Sequence, residues 1–180
     1  DILALLRCLK RRGYPVRGAK SGPDYIDPRF HEAASGQPCF NLDAWAMAPD
    51  RLRHLAQGDG LLVIEGAMGL FDGAPPDGKG AVADLARHLH LPVIMVVDAG
   101  RMSGSIAPLI SGFAHFDPHV HVAGVILNNV GSDRHDSMLR RALDATGNPV
   151  LASMRRRTDL SHPARHLGLV QAAERPELEA

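Results

Sequence analysis

The stretch Leu61-Leu-Val-Ile-Glu-Gly-Ala-Met-Gly-Leu-Phe-Asp-Gly73 decides the fold, because four apolar residues run directly into Glu65 and three glycines follow within eight positions. Such an apolar run, with Val and Ile in it, is typical of a strand buried on both faces of a sheet. The carboxyl end of such a strand is where open α/β sheets bind ligands. Glu65 and Asp72 therefore indicate either a cation or phosphate site or a tight turn with solvated acids, and both interpretations stay open here.

Length, charge and cysteine content limit the classes of protein to which the chain can belong. The 180 residues, 45% of them hydrophobic, predict one domain over residues 1–180 with a real core. Twenty basic residues balance twenty acidic ones, so neither a nucleic acid nor an anionic membrane is expected as a partner. No apolar run approaches the roughly 20 residues that span a bilayer. Cys8 and Cys39 are expected to be free thiols in a reducing cytoplasm.

Predicted strands alternate with predicted helices along the whole chain. This alternation predicts βαβ units and an α/β fold, with a mostly parallel sheet that carries helices on both faces. Residues 41–45 are interpreted as a connector, and 61–65 and 92–98 as buried strands. The predicted helices are 1–13, 28–36, 49–57, 81–90, 103–115 and 133–145, and the predicted strands are 14–20, 61–65, 92–98, 122–129 and 149–152.

Polar side chains stand at or just after the ends of the predicted strands. Because the carboxyl ends of parallel strands share one edge of a sheet, these side chains are predicted to converge. Hard oxygen ligands, a lysine and a side-chain amide indicate magnesium and nucleotide chemistry, but they do not indicate a substrate. For Asp27, which precedes Pro28, helix capping is a serious alternative role, and it is a weaker one for Asp24. The set is Lys20, Asp24, Asp27, Glu65, Asp72, Asp98 and Asn128.

Two long motifs carry a resemblance to a known family. Lys20-Ser-Gly-Pro-Asp-Tyr-Ile-Asp-Pro28 and Glu65-Gly-Ala-Met-Gly-Leu-Phe-Asp-Gly73 resemble the cobyrinic (or hydrogenobyrinic) acid a,c-diamide synthases of cobalamin biosynthesis. The resemblance implies a P-loop NTPase architecture of the dethiobiotin synthetase type. Four shorter runs resemble the same family in the same order, namely 41–43, 97–98, 124–128 and 165–174.

The resemblance implies an activity as well as a fold. Such an enzyme uses MgATP to phosphorylate a side-chain carboxylate of a corrinoid, and ammonia then displaces phosphate to give an amide. The a- and c-carboxylates are amidated in turn. The implied partners are the corrinoid, ATP and Mg²⁺, with ammonia released from glutamine by a separate glutaminase domain. A homodimer is compatible with this assignment, which leaves the oligomeric state open.

The resemblance also assigns roles to individual positions. Glu65 and Asp24 are the implied magnesium ligands, and the Asp24/Asp27 pair also contributes to the electrostatics of the active site. Lys20 is implied to meet phosphate or the acyl phosphate. The remaining implied roles are contact with the corrinoid for Tyr25 and Ile26, a place near the reacting carboxylate for Asp72, and recognition of the adenine edge for Asn128.

The chain departs from the family pattern in two places. The glycine-rich P-loop and the strand before it are not found ahead of the first helix, and no glutaminase domain follows. The chain is therefore expected to be a fragment with weak or no MgATP turnover of its own. The alternatives are another enzyme of the superfamily (a cobyric acid synthase, a dethiobiotin synthetase-like enzyme or a nickel-sirohydrochlorin diamide synthase) or a non-catalytic interaction domain.

Overall fold

The computed structural model describes residues 2–157, and contacts between Cα atoms divide the chain into two compact units. Below, "first unit" means the described residues 2–89 and "second unit" means 90–157. The prediction of one domain over 1–180 stays a prediction, and the family-like run at 165–174 lies outside the described residues.

The first unit is built on a three-stranded parallel sheet with the strand order β2-β1-β3. Pro28 in the first turn of α2 and Gly36, with a φ of 73°, after its last turn are typical helix boundaries. The elements are α1 (Ile2–Arg11), β1 (Val16–Ser21), α2 (Asp27–Ser35), β2 (Phe40–Leu42), α3 (Pro49–Ala56), β3 (Leu61–Glu65) and α4 (Val82–Leu89).

The two faces of β1 belong to different hydrophobic clusters, since side chains alternate across a strand. Val16 packs with Leu6 of α1 and Ala34 of α2. Ala19 packs in a separate cluster with the buried Leu42, Ala44, Leu52 and Leu85. Lys20 lies four residues after Val16 on β1, so its side chain points to the same face of the strand, which is the face that α2 covers.

The second unit contains a second parallel sheet, with the strand order β4-β5-β6. Its core contains Val125, Leu127 and Val130 of β5, packed against helical side chains such as Ile110 and Leu139. Each of these five residues is 0% exposed. The elements are β4 (Val93–Asp98), α5 (Ile106–Phe116), β5 (Val122–Val130), α6 (Asp133–Asp144) and β6 (Val150–Arg155).

The predicted α/β class, with parallel strands and alternating helices, is confirmed. Two finer predictions are wrong. The predicted connector at 41–45 begins inside strand β2, since Phe40–Leu42 pairs with β1. The predicted burial of β3 and β4 on both faces also fails, because Leu61, Ile94 and Val96 are 52%, 51% and 61% exposed. Each of these strands stands at the end of its own three-stranded sheet.

Among the described residues, the helices are too short or too polar to cross a membrane.

Candidate functional site

The candidate site lies at the carboxyl ends of β1 and β3. The parallel register places Lys20 of β1 directly beside Glu65 of β3. Helix α2 begins only seven residues after Lys20, and it brings Asp27 over the same strand end. Neighbouring parallel strands and a short connection are thus sufficient to bring Glu65 together with Lys20 and Asp27, which precede it by about 40 residues.

Lys20 is the central cation of this cluster. Its Nζ donates to Asp27 Oδ2 over 2.6 Å and lies 3.3 Å from Glu65 Oε2, while the residue is only 6% exposed. Burial by itself would lower the pKa of Lys20, but the hydrogen bond to Asp27 and the charges of Glu65 and Asp27 outweigh it. The pKa of Lys20 is therefore raised, and the side chain stays charged.

Glu65 also accepts a hydrogen bond from a buried histidine. His31 Nε2 lies 2.8 Å from Glu65 Oε2, and His31 is 1% exposed. Burial would raise the pKa of Glu65, but the hydrogen bond from His31 and the charge of Lys20 lower it further than burial raises it. Glu65 is therefore held as a carboxylate at neutral pH.

Cys39 lies on the other side of the His31 ring from Glu65, with its Sγ 3.5 Å from His31 Nδ1. A thiol, an imidazole and a carboxylate in this order resemble the triad of a cysteine nucleophile. However, burial, together with the charges of Glu32 and Glu65, raises the pKa of Cys39 to about 12. A thiol that stays protonated and is 8% exposed does not serve as a nucleophile.

Asp24 shapes the loop that leads into α2. Its Oδ1 accepts hydrogen bonds from the backbone N–H groups of Ile26 and Asp27, at 2.7 and 3.1 Å. The structure therefore reverses the ranking of the two residues as capping candidates, since Asp24 binds the backbone at the start of the helix while Asp27 pairs with Lys20. The backbone carbonyl of Asp24 accepts a 2.6 Å hydrogen bond from Asn41 Nδ2, which ties the loop to β2.

The other predicted residues of the first unit lie on loops. Tyr25 is 73% exposed, and its neighbour Ile26 is half-buried. The Asp72 carboxylate accepts a 3.1 Å hydrogen bond from the backbone N–H of Gly69 and so closes a turn after β3. A Cβ at Gly69 would collide with Asp72 Oδ2, so glycine is needed there for the carboxylate to fold back.

Two predicted strand-end residues belong to the second unit. Asp98 and Asn128 are register partners at the ends of β4 and β5. Hydrogen bonds from the Gly100 N–H and from Asn129 lower the pKa of Asp98. Asn128 Oδ1 accepts from the backbone N–H of Asn129, while Asn128 is half-buried. The contacts of Lys20, Asp27 and Glu65 thus bring part of the predicted set together within the first unit.

The donor chemistry of the cluster is compatible with Mg²⁺, the predicted metal. Within residues 2–157 no group of three or more His, Cys, Asp or Glu side chains is arranged to hold a metal ion. Magnesium in nucleotide sites needs fewer protein ligands, commonly one or two carboxylates beside phosphate oxygens and water. Glu65 and Asp24 each carry a carboxylate, and the buried Oδ1 of Asn41 has no hydrogen-bond partner in the structure.

His31 and Cys39 were not predicted as site residues. His31 lies four residues after Asp27 on α2, so the two side chains share one face of that helix. A glycine inside the first strand, Gly18, was a second signal in the sequence. In the structure, a Cβ at Gly18 would stand only 2.9 Å from His31 Cβ. A glycine in a buried strand often marks a close approach by another group, and here that group is the imidazole-bearing helix.

The parallel α/β fold and a charged cluster at the ends of adjacent strands define the class of α/β proteins whose site lies at the carboxyl edge of a sheet. Residues 2–170 match the family described as the CobQ/CobB/MinD/ParA nucleotide binding domain. The chain therefore belongs to this family.

Three curated relatives are similar along almost the whole chain. Hydrogenobyrinate a,c-diamide synthase of Brucella anthropi is 57% identical over 183 residues, which cover 99% of this chain and 42% of the relative. The enzymes of the same name from Rhizobium meliloti and Agrobacterium fabrum are 54% and 49% identical, over 99% and 98% of this chain and 42% of each relative. The chain thus spans less than half the length of these relatives.

Proposed function

We propose that this chain is the nucleotide-binding part of an ATP- and glutamine-dependent amide ligase. The proposed enzyme amidates the a and c side-chain carboxylates of hydrogenobyrinic or cobyrinic acid in cobalamin biosynthesis. The observation that carries the proposal is the 57% identity to a hydrogenobyrinate a,c-diamide synthase along 99% of the chain. Membership of a nucleotide-binding family supports the use of ATP.

In the proposed reaction, a carboxylate oxygen of the corrinoid attacks the γ-phosphorus of ATP. An acyl phosphate forms, and ADP leaves. Ammonia then adds to the acyl carbon, phosphate departs with the C–O electron pair, and the nitrogen loses one proton to give a neutral amide. Such a phosphoryl transfer depends mainly on positioning and on stabilisation of developing charge. Charged groups held in fixed positions, as in the Lys20 cluster, are suited to that task.

Lys20 would provide much of the fixed positive charge. Lys20 Nζ already interacts with Asp27 and Glu65, so an approaching phosphate would take the third N–H donor of the ammonium group or replace one of these carboxylates. Asp27 is the more exposed partner, with 41% of its side chain accessible against 32% for Glu65. We expect Asp27 to give way first, which leaves Lys20 paired with Glu65.

The exposed loop after β1 would receive the substrate. Tyr25 extends into solvent, and the loop beneath it is held by the Asp24 hydrogen bonds and by Asn41. We assign corrinoid contact to Tyr25 and Ile26, a place near the reacting carboxylate to Asp72, and adenine recognition to Asn128. A magnesium ion on Glu65 and Asp24 would supply positive charge to the phosphates of ATP.

The proposal includes ammonia from glutamine and a cytoplasmic location, and it is compatible with a homodimer. Ammonia would come from a glutaminase domain, and Cys39 does not fill that role because its thiol is buried and protonated. The free thiols Cys8 and Cys39 support a reducing compartment.

A substrate comparison tests the proposal. The complete gene product that contains this chain is incubated with ATP, Mg²⁺ and glutamine, and with hydrogenobyrinic acid, cobyrinic acid or nickel-sirohydrochlorin. We expect mass spectrometry to show a monoamide and then a diamide of one of the two corrinoids. Product from nickel-sirohydrochlorin alone, or from none of the three, would contradict the proposal.

Two variants connect this activity with the cluster. Glu65→Gln is expected to lower kcat at least about 100-fold, since it removes a charge at the proposed site of phosphoryl transfer. Asp50→Asn is the matched control, because Asp50 is an acid on α3 with 94% of its side chain exposed. Asp50→Asn should retain the wild-type rate.

A further inference from the structure

We infer that His31 is a positioning residue that fixes the orientation of the Glu65 carboxylate by donating a hydrogen bond from Nε2 to Oε2. The inference rests on the proposed function only in assuming that Glu65 belongs to the active site. His31 is 1% exposed, so the imidazole acts through Glu65 and does not touch a substrate itself.

Geometry supports this role. Both described contacts of Glu65, with His31 Nε2 at 2.8 Å and Lys20 Nζ at 3.3 Å, end on the same oxygen, Oε2. Two donors on one oxygen set the rotation of the carboxylate, and the other oxygen, Oε1, remains for a ligand. An outer residue that orients a functional carboxylate in this way commonly affects activity without contacting the ligand.

Cys39 determines which nitrogen of His31 carries the proton. Cys39 Sγ lies 3.5 Å from His31 Nδ1, and a thiol that donates there makes Nδ1 the acceptor and leaves the N–H proton on Nε2. The hydrogen bonds therefore run in one direction, from Cys39 Sγ–H to His31 Nδ1 and from His31 Nε2–H to Glu65 Oε2. In the opposite tautomer, two lone pairs would face each other between His31 and Glu65.

The fold around His31 is adapted to hold the ring. Gly18 has no side chain, and a Cβ at that position would meet His31 Cβ at 2.9 Å and Cγ at 3.3 Å. The imidazole therefore lies close against the backbone of β1. Ser35, one turn further along α2, donates to the backbone carbonyl of His31 over 2.7 Å. A ring enclosed in this way has little rotational freedom.

A pair of amide variants separates hydrogen bonding from packing. In His31→Gln the longer side chain can place its NH₂ near the position of Nε2, so a donor to Glu65 is retained. In His31→Asn the amide reaches only as far as Nδ1, and the donor to Glu65 is lost. Both variants remove the aromatic ring, so the loss of ring packing is common to the two.

The assay measures ATP-dependent amide formation by the complete gene product. For His31→Asn we expect kcat to fall about 10- to 100-fold with a change below about threefold in KM for ATP, a size typical for loss of an orienting partner. For His31→Gln we expect kcat within about threefold of wild type. Equal losses in the two variants, or no loss in either, would overturn the inference.

A pair of Cys39 variants and histidine ¹⁵N spectra test the same hydrogen bonds independently. If His31→Asn does not fold, Cys39→Ser and Cys39→Ala replace the pair, since Ser keeps a donor to Nδ1 and Ala does not. A lower kcat for Cys39→Ala than for Cys39→Ser supports the inference, and equal values contradict it. Histidine ¹⁵N spectra, with His31 assigned by the loss of its signals in His31→Gln, should show a proton on Nε2, and an Nε2 without a proton would also contradict the inference.

The activity of the wild-type protein distinguishes a failure of the proposed function from a failure of the inference about His31. If wild type forms no corrinoid amide, the proposed function has failed, and the ¹⁵N spectra still test the His31 hydrogen bond. If wild type is active and the His31 and Cys39 pairs show no difference within each pair, only the positioning role has failed.

Discussion

Lys20 is a buried cation that is stable because two carboxylates surround it. A lysine that is 6% exposed would tend to lose its proton if it stood alone, since burial disfavours the charged form. Asp27 and Glu65 reverse that preference. If the proposed phosphate contact forms, we expect Asp27 to give way and Lys20 to keep Glu65 as its partner.

The Glu65 carboxylate should make stability depend on pH. The pKa of Glu65 lies below the usual 4.5 in the folded protein. The ionised carboxylate therefore adds its full contribution to the free energy of unfolding above pH 4.5, and this contribution is lost as the pH falls through the pKa of the folded state. We expect the difference in thermal midpoint between wild type and Glu65→Gln to be constant from pH 8 to about 5 and to shrink towards pH 3. A difference that grows in acid would contradict this cause.

The two cysteines should react at very different rates. With a pKa of about 12, Cys39 has roughly one part in ten thousand as thiolate at pH 8, and it is also buried. Cys8 is exposed. After brief treatment of the native protein with iodoacetamide, peptide mass mapping should find Cys8 alkylated and Cys39 intact. Cys39 should react fully once the chain is unfolded, and rapid native alkylation of Cys39 would show that it is neither buried nor protonated.

At the scale of elements, β1 and α2 form the support of the site. Strand parity places Val16, Gly18 and Lys20 on the face of β1 that α2 covers. Helical spacing places Asp27 and His31 together on the opposing face of α2. The close contact at Gly18 therefore controls how near the histidine comes to Glu65.

Replacement of Gly18 by alanine should be costly. The new Cβ would meet His31 Cβ at 2.9 Å and Leu6 Cδ1 at 3.2 Å, and overpacking of this kind typically costs about 1–3 kcal/mol. We expect a lower thermal midpoint and reduced amide formation, because the helix that carries His31 must move.

Gly112→Ala is the matched control for Gly18→Ala. Gly112 lies inside α5, and a Cβ there would meet nothing within 4 Å. Alanine in a helix interior is favoured over glycine by about 0.5–1 kcal/mol, so this variant should raise the midpoint. Equal midpoints for Gly18→Ala and wild type would show that α2 packs less tightly than the structure indicates.

At the scale of the whole molecule, the chain contains two compact units with separate hydrophobic clusters. Leu52 belongs to a cluster of the first unit, and Leu127 belongs to the cluster of the second. Both leucines are 0% exposed. Each unit therefore has buried apolar contacts of its own among the described residues.

Truncation of these leucines should reveal whether the units unfold separately. Leu127→Ala and Leu52→Ala are each expected to cost about 2–5 kcal/mol. We expect hydrogen exchange, followed by mass spectrometry, to speed up mainly in β4–β6 for Leu127→Ala and mainly in β1–β3 for Leu52→Ala. Uniform acceleration across both units in either variant would instead support the single domain that the sequence predicts.

Much of the fold was predictable from the sequence. Apolar runs such as 61–65 and 122–129 end in polar residues, and helical periodicity lies between them, so the α/β class follows from local pattern alone. The burial of β3 and β4 was not predictable. An apolar run shows which strand can be buried, but exposure depends on whether a neighbouring strand and a helix cover it, as the exposed Ile94 and Val96 demonstrate.

The sequence by itself determined the parallel α/β class, the family resemblance and the acids and lysine that follow the strands, since each of these depends on residue type and spacing along the chain. The tertiary structure alone decided which groups bind each other. It paired Lys20 with Asp27 and Glu65, and it placed His31 between Glu65 and Cys39. The physical reason is that a hydrogen bond needs atoms within about 3 Å in a defined direction, and only the packing of α2 on β1 sets that distance.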